Sequence, residues 1–433
     1  PTAPYHRHAP AGPVAGTPRS VVTELAPRVR RALLGRPWWA QALLVYLLTR
    51  VFTTGVLLIA WSQQGFGPPH SWRVLAQPPF DLYLSRWWDG WWYHQVATAG
   101  YPHTLPLDFR GRVDKNTWAF FPLYPMLVRG LMTLTGGSWD LLAPLLSLVL
   151  GCAAAVVVHR LVTEGAPRAV AARPGLPVLT VAAIGLYPAA TVLQAGYTES
   201  LALLLVAGSL LLVLRRQYLW AALPVAALGF TRAVALPMAV VVLAHAWLRW
   251  REQRAGRDRL GVRELVRIGV LLAVAGVSGL AWPAICGWVT GIPDAYLLTQ
   301  KAWRVGRGAY PFAGWARLGI MPWPVAVGIV LIVLGMFAML ASRSARRLGA
   351  ELYVWSAAYL VYILSVGDII FSLVRFFLLA FPFGVVALGL ETGDRPRARR
   401  WPVVLLGISA VLQVAWIWTV WKYTPHEFSI GAP

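Results

Sequence analysis

Cysteine is nearly missing: Cys152 and Cys286 are the only two in 433 residues. Each falls in an apolar run, so free thiols are expected, and no redox compartment follows. Acids are also scarce, 17 Asp and Glu against 39 Lys and Arg, and only 13% of residues are charged. The histidines show no HExxH or other metal-ligand spacing, no glycine-rich nucleotide loop precedes a helix, and there is no GxSxG elbow. These absences argue against zinc, ATP, NAD and serine-hydrolase chemistry, and neither a metal nor a cofactor is expected. Apolar sequence fills the chain instead: 58% of residues are hydrophobic and the mean hydropathy is +0.59. That composition excludes a soluble globular protein.

Apolar runs of about 20 residues, the length that crosses a bilayer core, recur along the chain. They predict an all-α polytopic membrane protein with spans near 39–61, 141–160, 176–196, 200–214, 218–231, 233–248, 265–289, 322–342, 350–366, 370–390 and 401–421. Arg28, Arg30, Arg31 and Arg36 precede the first span and place the N-terminus in the cytoplasm. The basic segments 160–173, 215–216, 249–267, 343–347 and 395–400 then fall on the same side. The apolar stretch 118–135 cannot be a further span without moving Arg168 and Arg173 outside, so it reads as a juxtamembrane or re-entrant helix. The organisation expected is a disordered basic tail over 1–37, one membrane domain over 38–421, and an extracytoplasmic tail over 422–433. Within the domain, 62–140 and 290–321 are the large extracytoplasmic loops. The net charge of +22 follows from the basic cytoplasmic loops and favours anionic lipid headgroups; no nucleic-acid partner is expected.

The first outer loop carries the densest chemistry. Its prolines, Pro68, Pro69, Pro78 and Pro79, divide it, and Arg86 to Ala99 has no breaker except Gly90. As one helix this stretch sets Asp89, Tyr93 and Val96 on one stripe, with Trp88, Trp92 and Gln95 beside it. The tryptophans form an interfacial belt or stack on sugars; Asp89 is a catalytic acid, a helix cap or a salt-bridge partner of Arg86. Asp81 is a reserve acid. Further along, Gly196-Tyr197-Thr198-Glu199-Ser200 joins two apolar runs, and Thr231-Arg232 interrupts another. Glu199 and Arg232 either pair with each other or line a polar cavity. Arg50 lies mid-way along the first span and must face the interior, where a lipid phosphate or a carboxylate is its partner. Arg375, and Lys301, Arg304 and Arg307 in the second large loop, are further candidates for an anionic headgroup.

Leu84-Ser85-Arg86-Trp87-Trp88-Asp89, with Val96-Ala97 and Gly100-Tyr101 after it, resembles the signature of the PIG-V-like mannosyltransferases. Trp118-Ala119-Phe120-Phe121-Pro122-Leu123-Tyr124-Pro125 resembles that family's second signature and Tyr197-Thr198-Glu199-Ser200-Leu201 its third. Weaker echoes are Thr231-Arg232, Gln300-Lys301-Ala302-Trp303, and Ser372 with Arg375 ahead of Phe381-Pro382. The doubled tryptophan before Asp89 departs from the family, which usually has one. The resemblance implies a GT-C glycosyltransferase architecture, its catalytic acid in the first extracytoplasmic loop, and a polyprenyl-phosphate-mannose donor in place of a sugar nucleotide. The high Arg, Ala, Gly and Trp content points to the plasma membrane of a high-GC, actinobacterial-type bacterium, with a glycolipid, glycan or protein as acceptor.

On this reading the enzyme inverts the sugar's configuration, with Asp89 as general base. Arg232, Arg375, Lys301, Arg50 and Arg304 are the candidates for the donor phosphate. Glu199, Tyr197, Trp88, Trp92, Tyr93 and Arg86 are the candidates for sugar and acceptor. The alternatives are a flippase for lipid-linked sugars, and a GT-C transferase for another polyprenyl-linked sugar. A transporter calls for paired charges at the midplane and repeated halves, whereas here the polar groups gather toward one face.

Overall fold

The structure, a computed structural model, describes residues 35–64, 78–304, 310–368, 371–393 and 395–422. The expected basic tail up to residue 34, the C-terminal tail from 423, and Pro68, Pro69 and Arg307 lie outside these residues. Among the described residues the chain is helical and contains no strand; the one β-bridge joins Leu107 to Val113.

The helices follow in order: α1 (Trp38–Ser62), α2 (Phe80–Arg86), α3 (Asp89–Thr98), α4 (Leu123–Thr135), α5 (Trp139–Gly165) and α6 (Pro167–Ala172). Next come α7 (Leu176–Gly185), α8 (Glu199–Leu214), α9 (Tyr218–Leu228), α10 (Ala235–Arg254), α11 (Val262–Thr290) and α12 (Ala295–Trp303). The last are α13 (Trp323–Ala341), α14 (Ala350–Val366), α15 (Phe371–Phe376), α16 (Pro382–Leu388) and α17 (Pro396–Trp416), which widens into a π-helical turn over Ile417–Trp421. The first residues of α1 belong to a separate N-terminal unit ending at Gln41, whose side chain donates to the Arg36 carbonyl.

Five of the described helices, α1, α5, α11, α13 and α17 with its final turn, are long and apolar enough to cross a membrane, which marks a membrane-embedded protein. α7, α8, α9 and α14 are apolar but shorter. α8 is hydrophobic all round and buried on most of its faces, as a central helix must be. It packs against α5 and α9; α9 continues to α11, and α10 bridges α11 and α14.

Two expected spans are broken. In 176–196, α7 stops at Gly185 because the chain meets Pro188, and a tight turn over Ala190–Leu193 follows. Arg50 and Gln413 stitch this break: Arg50 donates to the carbonyls of Gly185 and Ala190, and Gln413 to those of Gly185 and Tyr187. Arg50 thus faces the interior as expected, but its partners are carbonyls freed at a helix end. In 370–390, Pro382 opens α16 and a 3₁₀ turn over Phe377–Ala380 separates it from α15. The continuous helix expected from Arg86 to Ala99 is also two, with Trp87 and Trp88 between them.

The basic segments converge at one end. Arg215 pairs with Glu164 at 2.7 Å, Arg216 with Asp258 at 3.2 Å, and His245 with Glu351 at 2.7 Å. Arg173 donates to the Ala398 carbonyl at 2.9 Å. Glu199 and Arg215 bracket α8, whose 16 residues separate them by about 24 Å.

Candidate functional site

The break before Asp89 creates the site. Trp88 adopts φ 54°, ψ −118°, a backbone conformation that costs a non-glycine residue about 1–3 kcal/mol. Its indole donates to the Val420 carbonyl at 2.8 Å, and its neighbour Trp87 packs edge-on against Tyr83. Tyr197 clamps the break: its hydroxyl donates to the Trp87 carbonyl at 2.9 Å and accepts from the Asp89 amide at 3.1 Å. Two glycines let the chains meet. A Cβ at Gly90 would lie 2.3 Å from the Ser85 carbonyl oxygen, and one at Gly196 2.4 Å from the same atom. Both are glycine because backbone approaches backbone. The outcome is that Asp89 and Glu199, each the first residue of its helix, face one another across a pair of arginines. Helix N-termini favour acids at those positions.

The charged groups form one chain. Arg375 donates through Nη2 to Asp89 Oδ2 at 2.6 Å, and its Nε lies 3.2 Å from Glu199 Oε1 at an angle that makes no hydrogen bond. Arg232 donates through Nη1 to the same Glu199 oxygen at 2.5 Å. The two guanidinium groups share the Phe376 ring, at 4.6 Å for Arg232 and 5.0 Å for Arg375, and Arg375 also stands 5.1 Å from the Tyr197 ring. Tyr93 hydrogen-bonds Thr198 at 3.3 Å. Arg375 is 3% exposed and Glu199 1%, yet Arg375 Nη1 and Glu199 Oε2 have no hydrogen-bond partner among the described residues. Buried polar atoms left open in this way cost free energy unless a further group meets them.

Beside this chain lies a cavity of about 330 Å³ lined by Asp89, Tyr93, Arg232, Lys301, Arg304 and Arg375, with Phe120, Tyr296, Tyr359, Tyr362 and Phe376. With Glu199 behind them, four cationic and two anionic side chains leave two positive charges in surplus. A second, almost wholly apolar groove of about 740 Å³ runs between α7, α13, α16 and α17 and is lined by Tyr187, Met336, Leu373, Phe377 and Phe383 among others. α15 separates the two spaces: Leu373 and Val374 border the groove, Arg375 and Phe376 the polar cavity.

The sequence candidates divide accordingly. Asp89, Tyr93, Tyr197, Glu199, Arg232, Lys301, Arg304 and Arg375 come together; Glu199 pairs with Arg232, and of the two only Arg232 lines the cavity. Asp81 does not join them; it is exposed and accepts from the Leu82 amide at 2.8 Å. Arg86 makes a two-point ion pair with Asp140, both bonds at 2.7 Å, and is not the partner of Asp89. Arg50 is committed to the α7 break, and Trp88 anchors the backbone to Val420. Trp92 stacks on Phe120 with centroids 5.8 Å apart and meets Trp303 edge-on at 5.0 Å, forming a wall of the cavity's surroundings. Sequence reasoning missed Tyr359 and Tyr362. Their only signal was a pair of tyrosines at helical spacing in an otherwise apolar run. Among the described residues no three His, Cys, Asp or Glu side chains gather as a metal site.

No protein-family model matches the chain, and no curated protein matches it.

Proposed function

We propose that this chain is an inverting glycosyltransferase of GT-C architecture. It carries mannose from polyprenyl-phosphate mannose to an acceptor hydroxyl at the extracytoplasmic face, as in the PIG-V-like family it resembles. The reading takes the apolar segments as about eleven crossings, with the N-terminus in the cytoplasm. The observation that carries it is Asp89 held by Arg375 at 2.6 Å on the wall of a cationic cavity that shares α15 with an apolar groove.

Each part has a chemical counterpart in the reaction. The bond to Arg375 occupies Oδ2, so the Asp89 carboxylate keeps a second oxygen to accept the acceptor's proton. As that hydroxyl oxygen bonds to the anomeric carbon, the bond from that carbon to the phosphate oxygen breaks and its electron pair leaves with the phosphate. The donor phosphodiester has one negative charge; the departing phosphomonoester approaches two. Two surplus positive charges in the cavity therefore stabilise the leaving group more than the ground state, which is the condition for catalysis. Lys301 and Arg304 line the same cavity as the acid-bound arginines and receive the phosphate; Arg232 and Arg375 hold Glu199 and Asp89 in place. The apolar groove takes the isoprenoid chain.

The test is direct. Purified protein in lipid nanodiscs is given polyprenyl-phosphate mannose and a glycolipid acceptor, and free polyprenyl phosphate is measured. Mannosylated acceptor and released polyprenyl phosphate in equal amounts support the reading. Movement of the donor across the bilayer without release would identify a flippase.

A further inference from the structure

On the other side of α3 from the acid lies a third concavity, about 510 Å³ and more open than the acid cavity. Trp91, Trp92 and Gln95 supply one wall; Tyr101, Asn116 and Thr117 supply the rest with the backbone of the turn at Gly100. Gln95 follows Trp91 by four residues and Trp92 by three, so all three stand on one face of the helix. Gly100, at φ +79°, turns the chain back beneath them. Asn116 and Thr117 are held in place: the Asn116 amide donates to the Asp114 carbonyl at 3.0 Å, and the Thr117 hydroxyl to that of Gly100 at 3.1 Å.

Three features define what this space can bind. Its volume falls in the usual range for ligand pockets, about 300–1,000 Å³. No charged side chain lines it, in contrast to the acid cavity, so an ionic headgroup gains nothing there. Paired indoles with the Gln95 carboxamide suit a ligand with flat apolar faces and hydroxyl edges; Asn116 is engaged by Asp114, Thr299 and the Trp118 amide and shapes the wall. A sugar ring has that shape and chemistry; a lipid tail lacks the edges. The partition from the acid cavity is thin. Trp92, three residues after Asp89, stacks on Phe120, which lines the acid cavity, and Trp303 closes against both rings at 5.0 and 5.3 Å.

We propose that the Trp91–Trp92 concavity binds neutral carbohydrate, namely sugar residues of the acceptor farther along the glycan than the one whose hydroxyl reaches Asp89. The link to the acceptor rests on the transferase reading above; sugar binding itself does not. The acceptor is then more than a single sugar, and the enzyme prefers a glycan already begun.

Full-length protein in nanodiscs is titrated with methyl α-mannoside and short manno-oligosaccharides, and binding is read by saturation-transfer NMR. A second arm presents the same glycan as a glycolipid headgroup in the disc, which distinguishes a lipid-borne acceptor from a soluble one. Binding is expected in the parent and in Asp81→Asn, an exposed acid outside the site, to weaken about tenfold in Trp91→Ala, and to be largely restored in Trp91→Phe, which keeps a ring. Equal binding in Trp91→Ala and parent would overturn the subsite. Sugar binding that depends on Trp91, with no transfer from polyprenyl-phosphate mannose, would overturn the transferase reading and leave the subsite standing.

Discussion

Arg375 and Arg249 are equally buried, 3% exposed each, and each is set among two acids and a tyrosine, yet the two clusters differ in how far they are closed. Arg249 donates through Nε to Asp258 at 2.8 Å, through Nη1 to Tyr218 at 2.9 Å and to Glu264, and through Nη2 to the Arg259 carbonyl at 3.3 Å. Every nitrogen is used. Arg375 bonds Asp89 through Nη2 and leaves Nη1 open, while Glu199 Oε2 opposite it is open too. A saturated cluster ties α9, α10 and α11 together at the basic end of the molecule. An unsaturated one bordering a cavity keeps hydrogen-bonding capacity for something that arrives. Burial and charge do not separate these two arginines; open nitrogens beside a polar cavity do.

The largest effect should come from the acids of the two clusters. Asp89→Asn removes the proposed base, and transfer is expected to fall about 10²- to 10⁴-fold with the protein still folded and donor still bound. Asp258→Asn at the closed cluster should leave transfer near the parent value and lower the melting temperature instead. Rates for both variants, with thermal melts in detergent, check the contrast. An active Asp89→Asn and an inactive Asp258→Asn would invert the assignment.

Gly90→Ala tests the geometry rather than the chemistry. The new Cβ meets the Ser85 carbonyl oxygen at 2.3 Å, so the start of α3 must move, and a displacement of about 1 Å costs about 10²-fold in rate. Gly55→Ala, where the added carbon meets nothing within 4 Å, is the control. Lys301→Ala should act more mildly. It removes one charged donor from the cavity proposed to hold the phosphate, worth about 1.5–3 kcal/mol, and should raise the KM for the lipid donor about tenfold or more. Its effect on kcat should be smaller than that of Asp89→Asn.

These contrasts also mark what the sequence made legible. Asp89, Glu199, Arg232, Arg375, Lys301 and Arg304 could be picked out because each is a charge in an apolar or aromatic setting. The five long spans followed from hydropathy. Pairing was not legible: Arg86 meets Asp140 and Asp89 meets Arg375, across separations of 54 and 286 residues that no local pattern encodes. The break at Trp88 was hidden for a different reason. Nothing in Arg-Trp-Trp-Asp-Gly disfavours a helix strongly, and the turn exists because Tyr197 and Val420 grip it from elsewhere in the chain. The carbonyl partners of Arg50 were hidden as well, because they appear only where α7 stops.

The smallest expected effect concerns acid. Asp258, in the loop between α10 and α11, is held by the Arg249 side chain and the Arg259 amide, which lower its carboxyl from 3.8 to about 2 against the opposing effect of burial. A carboxyl with its folded value below the unfolded one stabilises fully above the unfolded value and loses that contribution as pH falls through the folded one. The closed cluster should therefore be intact from neutral pH down to about 4 and loosen between about 4 and 2. Hydrogen exchange over residues 249–264, followed on acidification, reports the loosening directly. Asp258→Asn should show the faster exchange already at neutral pH and lose most of the acid dependence. If exchange there shows no rise between pH 4 and 2, or is the same in Asp258→Asn as in the parent at neutral pH, Arg249 is not the keystone of this end.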